Sequence, residues 1–433
     1  MRAAADFKAF GAHVNPGLAR FLTITDRDLR FVRGEGLTLW DAGGERHEDW
    51  IGGFGALPFG HSPPGFAELI ADHLQSQAPN LYSEHLNPFA GALARDLVAA
   101  AGAELETAYL CNSGSEAVEA AIKLAVRVTG RGRIVYAKGG YHGTTCGALS
   151  CMAEGMYREG FEPLLADHTP VSFGDLQALE AALAGGEAAA FLLEPIQVEA
   201  GLRFADPDYL SSARELCDRH GALLILDEVQ TGLGRTGAAF AFQDLGVRPD
   251  VVCLAKALGA GLVPIGATLV GAGLWAKAYG SIRTCEVHES TMGGNGLACV
   301  VAREALRRLI EPEFLASVRA RGEALFSALE AEVGASPLVE SVRGRGLLGG
   351  VALREPDHPW LSWDAFDLEE LSGEPLSGPL LVDRLGRRGI LGQVCGHDWS
   401  VLRVAPPLIV DEESCARFVS AVGAGVRFLE ERQ

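Results

Sequence analysis

An α/β fold built on a mostly parallel sheet is predicted by three observations. Between about 65 and 300, short apolar runs alternate with stretches of helical period, the runs being TAYLCN, RIVYA, AAAFLLEPI, ALLILDEV, DVVCLA and PIGATLV. Most of these runs are apolar almost throughout instead of alternating, the pattern of strands covered by helices on both faces. With 433 residues, 48% hydrophobic and 21% charged, the chain is ordinary for a globular protein of two or three domains with a large core.

Taken in order, residues 1 to about 30 read as helical and then irregular. LRFVRGEGLTLWDAGGERHEDWIGG steps by two around Gly34-Glu35-Gly36 and Ala42-Gly43-Gly44, as a small antiparallel meander does. Gly52 to Gly60, with Phe54 and Phe59, reads as a glycine-rich loop that comes close to another part of the molecule. Helical period begins near Pro64, and the strand–helix alternation follows. Ligands on such sheets bind outside the carboxyl ends of the strands. A long helix from about Asn295 leads out through ALRRLIEPEF. After it, VESVRGRGLLGGVAL, SVLRVAPPLIV and a final helix from Glu412 predict an α+β C-terminal part. The stretch 355–376 is acidic, Trp-bearing and proline-punctuated, and reads as a surface insertion or lid. The expected organisation is an N-terminal segment, 1–60, joining a small domain, a large domain over 61–310, and the small domain over 311–433.

A net charge of -19 argues against nucleic acid or an anionic membrane as the main partner, because both require clustered cations. The nine cysteines are scattered, odd in number and without a CxxC pair, so a reduced, cytoplasmic setting is expected and a zinc site is not. The eleven histidines form no HExxH pattern, and no catalytic metal is expected. The N-terminus lacks the apolar core of a signal peptide, and no apolar run approaches a membrane span.

Three local patterns carry chemistry. Asn112-Ser113-Gly114-Ser115-Glu116 follows a strand and opens a helix. Ser113 and Glu116 form an S-x-x-E capping box, and the exposed amides behind it suit an anion such as phosphate. A capping box alone is commonplace. Leu226-Asp227-Glu228-Val229-Gln230 ends an apolar strand and is followed by Gly232-Leu233-Gly234-Arg235-Thr236-Gly237, which fits GxGxxG. That match is off the strand-to-helix turn expected of a dinucleotide site, and the Asp-Glu pair has no GxxxxGK[ST] elsewhere to support a nucleotide triphosphatase. The third is Lys256, delivered by the strand Val251 to Ala255 into a glycine-rich turn. A lone lysine after a strand is ordinarily a charged cap facing solvent. Lysine is also the cation that burial can deprotonate and turn into a nucleophile. An Asp at one strand end, a Lys at the next and an anion cradle at a third are what pyridoxal 5'-phosphate requires.

Through HVNPG at His13 to Gly17, CNSGSE, DEVQTGLGRTG, LAKALGAGLVPIGAT and RVAPPL, the chain resembles the class III (omega) aminotransferases of the fold type I pyridoxal-phosphate enzymes over nearly its whole length. Within that family its resemblance is greatest to the putrescine aminotransferases. The resemblance implies that Lys256 holds the cofactor covalently and later moves a proton, and that Asp227 keeps the ring nitrogen protonated. It implies further that Gln230 bonds the ring hydroxyl and that Val229 and Tyr141 cover the two ring faces. His142 is expected beside them, and Ser113, Gly114 and Ser115 at the phosphate. Thr291 would reach the phosphate of a neighbouring subunit, so a homodimer with shared sites is implied.

On the substrate side, Arg403 matches the arginine that holds the carboxylate of a 2-oxo acid, and Glu199 matches the glutamate that neutralises it when the donor amine carries no carboxylate there. Two positions depart from the family. Thr144 stands where relatives acting on ornithine, acetylornithine or 4-aminobutyrate carry an arginine, and Val198 stands where glycine is usual beside the glutamate, which bears on pocket size. The expected activity is ping-pong transfer from a primary amine or diamine, putrescine-like, to 2-oxoglutarate or pyruvate. Amination of a specialised-metabolite aldehyde or ketone, an aminomutase, and a nicotinamide-dependent oxidoreductase are the other readings.

Overall fold

The computed structural model describes residues 7–25, 27–102, 104–152, 155–165, 167–355, 362–364 and 368–431. Its centre is a seven-stranded sheet in the order Leu105–Cys111, Gly266–Gly271, Val251–Leu254, Leu223–Asp227, Ala188–Leu193, Arg133–Ala137, Thr169–Val171. The strand Gly266–Gly271 runs antiparallel to both neighbours, and the remaining pairings are parallel. The central strands Ala188–Leu193, Leu223–Asp227 and Val251–Leu254 are buried at every residue, as their unbroken apolar sequence requires. All six expected strands are present. Thr169–Val171 was not foreseen: three residues, one of them proline, give almost no pattern, and proline is tolerated because this is an edge strand.

At the N-terminus, helices Phe7–His13 and Pro16–Ile24 precede an antiparallel meander, Phe31–Glu35, Thr38–Asp41 and Arg46–Asp49. Asn15 caps the second helix by accepting from Leu18 N at 2.9 Å. Arg46–Asp49 then pairs in parallel with Ile390–Leu391, tying the start of the chain to its last fifth. Gly52–Gly55 is a tight left-handed turn, with Gly52, Gly53 and Phe54 at φ +57, +58 and +59. Gly52 has φ +57, and a Cβ there would sit 2.7 Å from Ala405 O, so only glycine lets this turn lie against the segment after Arg403.

The helix expected from Asn295 through ALRRLIEPEF divides in two, Gly296–Leu309 and Pro312–Val333. Pro312 cannot donate within a helix interior but suits the first turn, so it starts a second helix. Residues 339–353 form a hairpin, Val339–Arg345 with Leu348–Leu353, extended by Asp398–Val404 and Gln393–Cys395 into a four-stranded antiparallel sheet. Ser377–Gly386 and the C-terminal helix Glu412–Glu430, which starts where expected, are the other long helices after residue 353. Within the acidic stretch, 356–361 and 365–367 lie outside the described residues. Its described part folds on itself: Glu355 accepts from Leu376 N at 2.9 Å, Trp363 Nε1 donates to Glu374 O at 2.8 Å, and the Trp363 ring meets Trp399 edge-on. None of these residues lines the main cavity.

Candidate active site

Strand ends along one edge of the large sheet enclose a cavity of about 470 Å³. Ser113, Gly114, Ser115, Tyr141, His142, Glu199, Asp227, Val229, Gln230 and Lys256 all line it. Residues separated by more than a hundred positions in sequence are therefore brought together by the parallel register of the sheet.

The anion cradle comes first in the chain. Ser113, in extended conformation, caps the helix Gly114–Thr129 by accepting from Glu116 N at 3.2 Å. The return bond differs from the expected box: Glu116 Oε2 accepts from Asn112 N at 2.5 Å, one residue earlier, because Asn112 Nδ2 also reaches the same carboxylate at 3.0 Å. First-turn amides of a helix have no partner within it, and here they open onto the cavity. Gly143 closes the cradle with φ +109; a Cβ on it would fall 2.0 Å from Ser115 Oγ.

Asp227 ends its strand buried. It accepts from His142 Nδ1 at 2.8 Å and from Val229 N at 3.0 Å. His142 therefore acts through Asp227, and its ring is fully buried instead of projecting into open space. Lys256 follows the next strand with a φ of +43, a left-handed conformation that costs a side-chain-bearing residue about 1 to 3 kcal/mol. Its amine donates to Gln230 Oε1, while Gln230 Nε2 finds no partner among the described residues. Burial pushes the Lys256 amine down to about 8, against the opposing pull of Glu199. About a tenth of such an amine is unprotonated at pH 7 and about half near pH 8, far more than for a lysine in water.

The far wall is Glu199, which lines the cavity and is ion-paired with Arg403 just behind that lining; the side chains are 2% exposed on the arginine and 12% on the glutamate. Arg403 also donates to Gln393 Oε1 at 2.9 Å, and its guanidinium lies 5.0 Å from the Phe54 ring centroid, within cation–π range. Glu199 Oε2 accepts from Gly396 N at 2.7 Å, and Glu199 O accepts from His397 N at 2.8 Å. Tyr141, Tyr157 and His397 form an edge-on aromatic group beside this pair, with centroids 5.2 to 6.1 Å apart.

Several of the singled-out positions lie outside the cavity lining of the single chain. Thr291 is exposed and outside the cavity lining of this single chain. Thr144 is also exposed and does not line the cavity. Val198 points away from the cavity: it is fully buried in a cluster with Ile196, Leu202, Leu348 and Val401, so its bulk does not narrow the pocket. The glycine run after Asp227 is an interior turn. Arg235 is buried and donates to Leu347 O at 3.1 Å and Pro406 O at 2.5 Å, which removes the dinucleotide reading of GLGRTG. Glu194, Tyr157, Gln393 and Gly396 were passed over in the sequence. Of these, only Glu194 carried a readable signal, an acid at the end of an apolar strand, as Asp227 is.

An anion cradle at a helix N-terminus, a buried carboxylate, a desolvated lysine and a free amide at Gln230 fit pyridoxal 5'-phosphate, and the fold is that of the fold type I pyridoxal-phosphate transferases. The pattern of aminotransferase class-III matches residues 25–424, and the chain belongs to that family. It is 37% identical to acetylornithine aminotransferase of Methanopyrus kandleri over 92% of this chain and 94% of that protein. It is 34% identical to aminotransferase PigE of a Serratia species over 94% of this chain, and it spans 52% of the length of that longer relative. An amine transaminase from an uncultivated Pseudomonas species, solved in its pyridoxal-phosphate-bound form, superposes with a TM-score of 0.82 at 29% identity, covering 93% of this chain and 96% of that one. Among the described residues no group of three or more His, Cys, Asp or Glu is placed to hold a metal, and no helix is long and apolar enough to cross a membrane.

Proposed function

We propose that this chain moves an amino group from a primary amine without a carboxylate near its reacting carbon, a diamine of putrescine type among them, to a 2-oxo acid. The observation that carries this reading is the ion pair by which Glu199, on the cavity lining, already neutralises Arg403. A wall neutralised internally accepts an uncharged alkyl chain or a distal ammonium. Among the described residues that line the cavity Lys256 is the only lysine or arginine, so a donor's carboxylate meets no arginine there while Glu199 holds Arg403.

The residues act as follows. Lys256 would hold the cofactor through Nζ, and Asp227, oriented by His142, would hold a proton on its ring nitrogen. Ser113, Gly114 and Ser115 would take the phosphate, Gln230 the ring hydroxyl, and Val229 and Tyr141 the two faces. When bound, pyridoxal 5'-phosphate supplies an electron sink for charge developing at the carbon that bears the amine. Lys256 Nζ then carries the proton to and from that carbon, a task suited to an amine titrating near 8. When a 2-oxo acid enters, Glu199 gives up Arg403 to the incoming carboxylate, and Gln393 keeps the guanidinium aimed. We infer also that a second copy completes each site. Ile282, Val287 and Met292 stand exposed on the segment that carries Thr291, as apolar side chains awaiting a partner do.

A donor panel tests the substrate assignment: putrescine, cadaverine, alkyl amines, ornithine, acetylornithine and 4-aminobutyrate, each with 2-oxoglutarate and with pyruvate. Higher kcat/KM for the donors without a carboxylate is expected. A preference for acetylornithine or ornithine would overturn it in favour of the second reading, which the identity to acetylornithine aminotransferase supports.

A further inference from the structure

Glu194 is a buried acid on the cavity wall that none of the steps above uses. The strand Ala188–Leu193 runs parallel to Leu223–Asp227, with Leu193 opposite Leu226. The next residue on each strand is an acid, Glu194 on one and Asp227 on the other. Both line the cavity and are only 5% and 4% exposed. Neighbouring strands lie about 4.8 Å apart, so these are two carboxyl groups side by side with little water between them. Such a pair shares charge poorly, and one member takes a proton.

The donors around each decide which. Asp227 accepts from His142 Nδ1 and Val229 N, a ring and a backbone amide that both favour the ionised form. Glu194 accepts from Tyr141 N at 2.9 Å. The other charged groups near it are Glu199, five residues further on, and Lys256, which follows the strand on the far side of Leu223–Asp227 and whose amine is engaged by Gln230. We propose that Glu194 is a positioning residue held as a neutral carboxylic acid, fixing Tyr141 at the cofactor face while leaving Asp227 the ionised member of this pair. Burial first, and Asp227 second, push its carboxyl well above the usual carboxylate range; Lys256 opposes them. An ionised Glu194 would instead stabilise the Lys256 ammonium and reduce the fraction of free amine.

This rests on the reading of Lys256 as the cofactor-binding amine only where loading is measured, so one arm of the test needs no cofactor. Infrared spectra of the apoenzyme at neutral pH should show protonated-carboxyl absorption that falls by one group in Glu194→Gln, the remainder coming from buried Glu228, whose carboxyl burial pushes up to about 7. Pyridoxal 5'-phosphate, added to the two proteins across a pH series, should load with the same midpoint pH and with affinities within about threefold. Glu194→Ala, which loses the acceptor for Tyr141 N, should bind it roughly tenfold more weakly, the scale of one lost hydrogen bond. An infrared spectrum unchanged by Glu194→Gln, or a loading midpoint lowered by about one unit in that variant, would show an ionised Glu194 and overturn the proposal. If Glu194→Ala does not fold, the Glu194→Gln spectra and midpoint decide alone. Failure of the wild type to load would refute the role of Lys256 and leave the infrared result standing.

Discussion

The floor and the far wall of one cavity are built by opposite means. The floor, Ser113 to Ser115, Asp227, Gln230 and Lys256, sits on ends of neighbouring strands whose register the core holds; Leu224, Ile225, Leu226, Val252 and Cys253 behind it are fully buried. The wall joins Glu199 to Arg403 across 204 residues, and its supports come from two further segments, Phe54 from one and Gln393 and Gly396 from the other. Chemistry common to every turnover is placed where the backbone cannot shift. On the proposed reading, recognition of two unlike substrates falls to side chains that can exchange partners.

The largest separation of the two regions should come from Lys256→Ala. Turnover should fall by roughly 10²- to 10⁴-fold or more, the scale of a lost proton-transfer group, for every donor and acceptor alike. The visible band of the loaded enzyme should disappear with it. An Arg403→Ala protein should behave differently: KM for 2-oxoglutarate should rise by roughly 10- to 100-fold, the scale of charged hydrogen bonds worth about 1.5 to 3 kcal/mol, while the single-turnover rate with a diamine changes little. Equal losses in both half-reactions would erase the distinction between floor and wall.

The floor also predicts a pH dependence. Because burial holds the Lys256 amine near 8, its neutral fraction, and with it the rate at which apoenzyme captures pyridoxal 5'-phosphate, should fall about tenfold per unit below that pH and level off above it. A stopped-flow series from pH 6 to 10 checks this, and a midpoint near 10.5 would place the amine in water. The smallest effect is expected at the rim. Thr144 is exposed, so Thr144→Arg should improve KM for ornithine by only about two- to fivefold, as a surface ion pair worth up to about 1 kcal/mol does.

The floor was legible from sequence because its signals are local: an apolar run, then one charged residue, three times over. Asp227 and Lys256 announce themselves that way, and Glu194, at the end of FLLEP, was written in the same form. The capping pair at Ser113 and Glu116 was legible too, although the choice of Asn112 N over Ser113 N depends on where one amide points. The wall offers no such signal. Nothing adjacent to Gln393 or Gly396 relates them to Glu199, and only the pairing of Gln393 with Arg403 across two antiparallel strands brings them into reach. Resemblance to relatives, not the residues by themselves, singled out Arg403 and Glu199. The break before Pro312 was readable from proline alone and was overrun by the apolar period on both sides.

The left-handed backbone at Lys256 has a consequence for how this protein is maintained over generations. Glycine adopts that conformation without strain, so an inactive chain with Lys256→Gly would relieve a cost that the active chain bears. Thermal robustness alone would drive the position away from lysine. On the role proposed for Lys256, selection for its amine would be the force that opposes this drift.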